Sequence, residues 1–300
     1  MPSSLGPLAP LIECVPNFSE GRRPAAVAAI ARAIEQALGG PVLDQHLDPD
    51  HHRSVITFAG RPEAVEAAAL AGIAEAVARL DLSTHRGVHP RIGVADVVPF
   101  VPVRGATMAD CVALARRVAA RVATDCGVPA FCYGEAARHD AYRDLAALRR
   151  AIRASPAFPA PDYGPTRPHP TAGAVAVGAR DYLIAFNVAL ETDALEVAQA
   201  IARELRAANG GLPGVKALGL RLASRRAAQV SVNLTDTRQT RPADVFRAIV
   251  AAAQRHGVAV GDPELVGLIP TADAALGFDE PLRSRLFPDE KNLARRLCLE

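Results

Sequence analysis

The chain has 300 residues, of which 50% are hydrophobic and 22% charged, a composition typical of a globular protein with room for two cores. The net charge is +2, and no segment of the chain has a dense run of basic residues, so we expect no nucleic-acid partner. Five widely spaced cysteines without a CxxC pair predict reduced thiols and a cytoplasmic location. Since the N-terminus has no basic region followed by a long apolar stretch, we expect neither export nor a membrane span.

The first half of the chain alternates between predicted strands and helices. Apolar residues before Pro16 predict a strand that does not continue into a helix. The predicted elements are a strand over 11–18, a helix over 19–40, strands over 41–48 and 53–60, a helix over 61–80 and a strand over 94–103. This β-α-β-β-α-β order is typical of ferredoxin-like domains. A helix over 107–122, a strand over 128–136 and a helix over 142–151 extend it.

A segment rich in proline and glycine, 155–178, separates the two halves and predicts a linker or a functional loop. Beyond it the β-α-β-β-α-β order recurs, and the first strand of each half leads to an asparagine, Asn17 or Asn187. The second set comprises a strand over 180–190, a helix over 194–209, strands over 215–222 and 227–236, a helix over 242–257 and a strand over 263–270. We therefore predict an α/β fold of the α+β class, with two ferredoxin-like βαββαβ subdomains over 1–180 and 181–300.

The sequence "HRGVHPR", residues 85–91, holds two histidines and two arginines. Gly87 permits a positive φ and Pro90 disfavours helix at His89, so the segment is predicted to be a shaped loop. A histidine in such a loop can act as general acid and base, although spacing alone favours ordinary surface histidines. Zinc is disfavoured because Pro90 removes the helical frame that a His-x3-His pair needs.

The sequence "HLDPDHHRSV", residues 46–55, is predicted to turn between two strands. It is either a solvated hairpin or a functional turn in which Arg53 holds a substrate carboxylate through two hydrogen bonds. Its spacing matches no strong metal template.

Two further segments leave alternatives open. In "CYGEAARHD", residues 132–140, Glu135 and Arg138 form either a capping charge pair or a group in which the carboxylate steadies a cationic nitrogen. The 155–178 segment is functional or disordered, and its lack of GxGxxG or GKS/T spacing leaves a nucleotide-phosphate site unsupported.

Seven motifs occur in a family-like order over about residues 11–278. They are "ECVPNFSEG", "DPDHHRSVITFAG", "HRGVHPRIGVADVVPFVPV", "YGEAAR", "DYGPTRPHPTAGAVAVGARDYLIAFNV", "QVSVNLTD" and "ELVGLIP". Together they resemble the glutamate formimidoyltransferase, or formiminotransferase, family. The ordered set is far more specific than any one motif.

The resemblance implies transfer of a formimino group from N-formimino-L-glutamate to N5 of tetrahydrofolate in histidine degradation. It implies two βαββαβ subdomains with a folate channel between them, and a catalytic histidine at His89, whereas His85 is expected to be a loop residue. The implied folate loop comprises Gly164, Pro165, Thr166, Arg167, Pro168, His169, Pro170, Thr171, Ala172 and Gly173.

Supporting roles follow from the chemistry of this reaction. The carboxylates of glutamate can be bound by guanidinium groups such as those of Arg53 and Arg91. Positive charge on the intermediate can be stabilised by a carboxylate. The supporting candidates are Asn17, Asp44, Arg53, Arg91, Asp96, Glu135 and Asn187.

The resemblance also sets the remaining expectations. Relatives usually have asparagine at the position of His52. The chain has no counterpart of the cyclodeaminase domain of bifunctional animal enzymes, so we expect a monofunctional enzyme. We also expect a homodimer and no metal. Tetrahydrofolate and N-formimino-L-glutamate are the expected partners, with no membrane involved. Two alternatives stay open: a related folate-dependent formyl transfer, and a folate-binding protein without turnover.

Overall fold

A computed structural model describes residues 9–154, 158–271 and 277–299 of the chain. The chain divides into two compact units, Met1–Asp181 and Tyr182–Glu300. Each unit contains one β-sheet.

The first unit contains a mixed sheet and four α-helices among the residues described. Its elements are β1 (Leu11–Cys14), β2 (Asn17–Phe18), α1 (Pro24–Leu38), β3 (Asp44–Asp48), β4 (Arg53–Gly60), α2 (Pro62–Arg79), β5 (Ala95–Arg104), α3 (Met108–Cys126), β6 (Ala130–Gly134), α4 (Leu145–Ala154) and β7 (Val175–Ala179). Across the sheet the order is β3, β4, the broken strand β1–β2, β5, β7 and β6. The pairs up to β5 are antiparallel, whereas β5–β7 and β7–β6 are parallel.

Helices α1, α2 and α3 contribute to the main core of this unit, together with one face of the sheet. Alternate strand positions turn Phe18, Phe58 and Phe100 into that core, each with no exposed surface. Burying one such side chain contributes roughly 2 kcal/mol. Gly72 lets α1 and α2 pack closely, because a Cβ atom there would lie 2.7 Å from Cγ1 of Ile34.

The other face of the sheet carries a small apolar cluster and several polar residues. Phe131 and Leu148 are fully buried in that cluster, where helix α4 packs on β5, β6 and β7. Since successive side chains point to opposite faces, Asn17 lies on the face opposite Phe18. Ser54 pairs with Phe18 across the two strands, so both side chains point to the same face. The neighbouring Arg53 therefore points to the other face, which is the face of Asn17. This polar half of the face holds the candidate site.

The second unit contains an antiparallel sheet of four strands among the residues described. Its elements are β8 (Ile184–Leu190), α5 (Leu195–Leu205), β9 (Val215–Leu222), β10 (Ala227–Leu234), α6 (Pro242–Arg255), β11 (Val260–Val266), α7 (Glu280–Leu286) and α8 (Leu293–Arg296). The strand order is β11-β8-β10-β9. Helices α5 and α6 contribute to its core with Phe186, Val188 and Val230.

The predicted pair of ferredoxin-like βαββαβ subdomains is confirmed, since both units have the strand order 4-1-3-2 in antiparallel pairs. We expected little regular structure over 155–178, but the last residues of this segment belong to β7, a buried strand that begins at Val175. It lies between β5 and β6 and pairs with both in parallel. Residues 155–157 lie outside the described residues, and the channel between the subdomains stays a prediction. No described helix has both the length and the apolar character to cross a membrane.

Candidate active site

His89 lies in the loop between α2 and β5 and keeps part of its surface exposed. Its Nδ1 lies 2.8 Å from the carbonyl oxygen of Pro90. A carbonyl only accepts hydrogen bonds, so Nδ1 carries the proton in the neutral ring. The lone pair of the imidazole is therefore on Nε2, which can accept a proton from a substrate.

The surroundings of His89 favour the neutral ring. Burial of the ring lowers its pKa well below the usual value, and the charges of Arg53, Arg149 and His51 lower it further. The hydrogen bond to Pro90 opposes this shift but does not cancel it. At neutral pH the side chain is therefore unprotonated and suited to accept a proton first.

A fully buried carboxylate, Asp96, organises the charges next to His89. Its Oδ2 accepts a hydrogen bond of 2.6 Å from Nη1 of Arg53 and a second one from Nη2 of Arg149. Its Oδ1 accepts the backbone N–H of Ile92 at 2.7 Å. Burial opposes ionisation, but the two guanidinium groups hold the pKa of Asp96 below its usual value. The carboxylate is thus charged and already fully engaged.

The guanidinium of Arg53 is held by protein partners on every nitrogen. Its Nε and Nη2 donate to Oδ1 of Asn17 at 3.0 and 2.7 Å, and Nη1 donates to Asp96. The Asn17 amide nitrogen donates in turn to the Val15 carbonyl at 2.8 Å. The structure thus brings Asn17, Arg53 and Asp96 together.

Arg91 closes the loop that carries His89. Its Nη1 donates to the carbonyl oxygens of Gly87 and His89 at 3.0 and 3.2 Å, and its Nη2 donates to that of His85 at 3.1 Å. One planar group thus holds three backbone carbonyls of the same loop. This arrangement makes Arg91 a positioning residue for His89.

The same loop is fastened to the turn between β3 and β4. Nε2 of His85 donates to the His52 carbonyl at 2.7 Å, while Nδ1 accepts the Gly87 N–H at 3.1 Å. Gly87 does not adopt the positive φ that a glycine permits. Glycine is required at this position because the loop passes close to the turn between β3 and β4. A Cβ atom there would lie 2.2 Å from the His51 carbonyl oxygen.

The turn itself is not a solvated hairpin. Asp48, Asp50 and His51 are buried, and Oδ1 of Asp48 accepts the backbone N–H groups of both later residues. The His51 ring centroid lies 5.7 Å from that of His89. The turn therefore contributes directly to the surroundings of the candidate catalytic ring.

His52 has a left-handed backbone conformation, with φ of 51°. Asparagine, aspartate and histidine adopt this conformation more readily than other residues that have a side chain. This gives a physical reason why histidine can occupy a position expected to hold asparagine. Its ring stacks on that of His85 at 4.1 Å, and Nε2 donates to Glu20.

The predicted folate loop divides into two parts. Residues 164–168 are exposed, whereas the backbone N–H groups of His169 and Gly173 each donate to the other's carbonyl. The backbone of 171–174 pairs with Leu82 and with residues 92–94 through three hydrogen bonds of 2.7–2.9 Å. This second part is thus joined to the segment that follows His89.

Two sequence candidates of the first unit, Asp44 and Glu135, lie apart from this arrangement, and a third belongs to the second unit. Asp44 begins β3, four residues from the end that pairs with Arg53, which is about 13 Å along a strand. Glu135 is half-exposed and pairs with Arg143 at 2.7 Å, so the proposed pairing with Arg138 was wrong. Arg138 lies over the Tyr163 ring instead. Asn187 is buried on β8, in the second unit.

Arg149 was not predicted from the sequence. In "LRRAIR" it is one of three arginines on a helix, and the only signal is its place directly after the buried Leu148. No group of three or more His, Cys, Asp or Glu residues in the described part of the chain could hold a metal ion.

Comparison with known proteins identifies the family of the chain. The sequence model of the formiminotransferase domain, N-terminal subdomain, matches residues 11–180, and that of the formiminotransferase domain matches residues 185–277. Glutamate formimidoyltransferase from Thermoplasma acidophilum is 42% identical over 87% of this chain and 88% of its own. The chain belongs to the formiminotransferase family.

Other members of the formiminotransferase family are similarly close. Glutamate formimidoyltransferase from Streptococcus pyogenes is 38% identical over 88% of this chain and 90% of its own length. Formimidoyltransferase-cyclodeaminase from Sus scrofa is 41% identical over 94% of this chain, which covers 55% of that protein. This formiminotransferase is therefore an enzyme of the formimidoyltransferase class.

Proposed function

We propose that this enzyme transfers the formimino group of N-formimino-L-glutamate to N5 of tetrahydrofolate, as a step of histidine degradation. The names of its relatives support the class of reaction. The observation that carries the proposal is His89, whose tautomer leaves Nε2 free and whose surroundings keep the ring neutral. These are the properties of a group that first accepts a proton and then returns it.

The proposed reaction needs one proton shuttle. N5 forms a bond with the formimino carbon while its proton passes to Nε2 of His89. The carbon–nitrogen bond to glutamate then breaks, and the same proton passes from Nε2 to the departing glutamate nitrogen. Atoms and charges balance without any further reactant.

The supporting residues have structural tasks in this proposal. Arg91 and His85 hold the loop so that Nε2 keeps one direction, which supports orientation of the reacting groups. Asp96 is engaged by two guanidinium groups, so we do not assign it to stabilising a cationic intermediate. That role stays without a residue.

For tetrahydrofolate, we infer contact with the loop from Gly164 to Gly173. Its exposed part, 164–168, is available to a ligand, and its fixed part adjoins the His89 loop. In this proposal tetrahydrofolate is a co-substrate. The homodimer and the cytoplasmic location stay predictions.

The test is an assay of the pure protein with tetrahydrofolate and N-formimino-L-glutamate, followed by N-formyl-L-glutamate, with product formation read by absorbance. Formimino transfer with His89→Gln reduced at least about 100-fold is the expected result. His256→Gln, an exposed histidine of the second unit, is the matched control. Transfer only from the formyl donor, or folate binding without transfer, would refute the proposed function.

A further inference from the structure

The charged cluster beside His89 contains more positive than negative charge. Two guanidinium groups, Arg53 and Arg149, share the single carboxylate of Asp96. Their side chains are 11% and 14% exposed, and that of Asp96 is 0% exposed. One positive charge is thus left over in a region largely withdrawn from water, where an uncompensated charge is unfavourable. An anion bound here would be favoured.

The three arginines near His89 differ in the donors that remain free. Every nitrogen of Arg53 has a protein partner, and Arg91 is committed to three backbone carbonyls. Arg149 donates only through Nη2 among the described residues. Its Nε is buried without a partner, whereas Nη1 has no partner and is not buried. A guanidinium in this state can still receive a carboxylate.

The reaction itself indicates which carboxylate this is. In the donor, the α-carboxylate carbon is joined to the nitrogen that leaves through one intervening atom, a separation of about 2.5 Å. His89 must deliver its proton to that same nitrogen. The α-carboxylate therefore lies beside His89, whereas the carboxylates of the folate tail lie beyond its aromatic ring, far from N5. The charge of Arg149 acts on the His89 ring, which supports their proximity.

We propose that Arg149 binds the α-carboxylate of the formimino donor through Nη1, while Arg53 and Arg91 act on protein partners. This assignment rests on the proposed function, and it makes Arg149 a residue that determines specificity for α-amino acid donors. Helix α4 thereby contributes to the substrate site.

The test compares Arg149→Met with Arg150→Met, which removes the exposed neighbouring arginine of the same helix. We expect Arg149→Met to raise the KM for N-formimino-L-glutamate by about 10- to 100-fold, since a charge-assisted pair is lost. The KM for tetrahydrofolate and all constants of Arg150→Met should stay within about twofold. Because Arg149→Met leaves Asp96 with one partner fewer, thermal unfolding is measured in parallel. If that variant is unfolded, Arg149→Lys, which keeps the charge, should still show a raised donor KM.

Direct binding separates this assignment from the proposed function. Calorimetric titration with L-glutamate and with 4-aminobutyrate, which lacks the α-carboxylate, needs no turnover. The wild-type protein should prefer L-glutamate and the variants should lose that preference. Retention of the preference, or an effect confined to tetrahydrofolate, would overturn the role of Arg149. Preference for glutamate without transfer would refute the proposed function and leave Arg149 supported.

Discussion

The two units have the same strand order but differ in the side chains on one face of the sheet. This is the face turned away from α1, α2 and α3 in the first unit and from α5 and α6 in the second. In the second unit, β8 and β10 carry the neutral residues Asn187, Ser231 and Gln229 there. In the first unit the corresponding strands carry Glu13 and Arg53, and the face also receives Asp96 and Arg149. A repeated fold therefore does not repeat the chemistry, because β1 and β4 carry charged residues where β8 and β10 carry neutral ones, and because β5 and the added helix α4 contribute further charges.

The largest effect is expected from Asp96→Ala in the first unit. Removing this carboxylate leaves two largely buried guanidinium groups without their shared partner. The free energy of unfolding should fall by about 3–5 kcal/mol, measured by urea denaturation. A loss below about 1 kcal/mol would mean that the charges are not compensated by this residue.

Glu13→Gln tests another buried carboxyl group of the first unit. Burial raises the pKa of Glu13 to about 7, and Arg180 only partly offsets it. Since the folded-state pKa lies above the unfolded one, stability is retained at low pH and falls as the pH rises through 7. At pH 8 the glutamine variant should be more stable by up to about 3 kcal/mol, and at pH 4 the two should match.

Thermal unfolding between pH 4 and pH 8 measures this difference. The control is Glu264→Gln on β11 of the second unit, a carboxylate that is 39% exposed in its pair with Arg225. This variant shows how replacement of an exposed glutamate affects stability over the same pH range. An identical pH profile for Glu13→Gln would show that Glu13 is charged in the folded protein.

Gly87→Ala tests how the His89 loop is held. A Cβ atom at Gly87 would lie 2.2 Å from the His51 carbonyl and 2.6 Å from the His85 ring, so the loop must move. We expect kcat/KM to fall by about 10- to 100-fold with modest loss of stability. Gly261→Ala in the second unit, whose Cβ would have only ordinary contacts, is the control. Full activity in Gly87→Ala would show that the loop position is not critical.

The smallest effect is expected from Asp193→Ala in the second unit. This carboxylate pairs with Arg221 at 2.9 Å, with both side chains 58% exposed. Its removal should change the free energy of unfolding by no more than about 0.5 kcal/mol in urea denaturation. A loss comparable to that of Asp96→Ala would remove the proposed distinction between the two units.

The strand and helix order was predictable because hydrophobic alternation and capping signals are local. The antiparallel pairing of β1 with β4 and β5 followed from the βαββαβ order. The strand β7 was not predicted, since it follows directly on a segment rich in proline and glycine. Its parallel partners, β5 and β6, are distant in sequence, and periodicity carries no information on them.

The candidate site was only partly predictable for the same reason. Motif order indicated His89, and the structure brings Asn17, Arg53 and Asp96 together beside it. No sequence pattern showed that Arg53 and Arg91 use their donors on the protein. Folding brings the side-chain oxygens of Asn17 and Asp96 to Arg53, and the backbone carbonyls of the His89 loop to Arg91. Arg149 reaches Asp96 across 53 residues of sequence, which no local rule predicts.

The bond from Nδ1 of His89 to the Pro90 carbonyl has a consequence for chemical modification. One ring nitrogen is occupied by the main chain, so an acylating reagent specific for imidazole should react only at Nε2. The preference for that isomer is a property of the backbone, and it would persist when the side chains around it are exchanged. The position of the label on the ring would thus report directly whether the loop is intact.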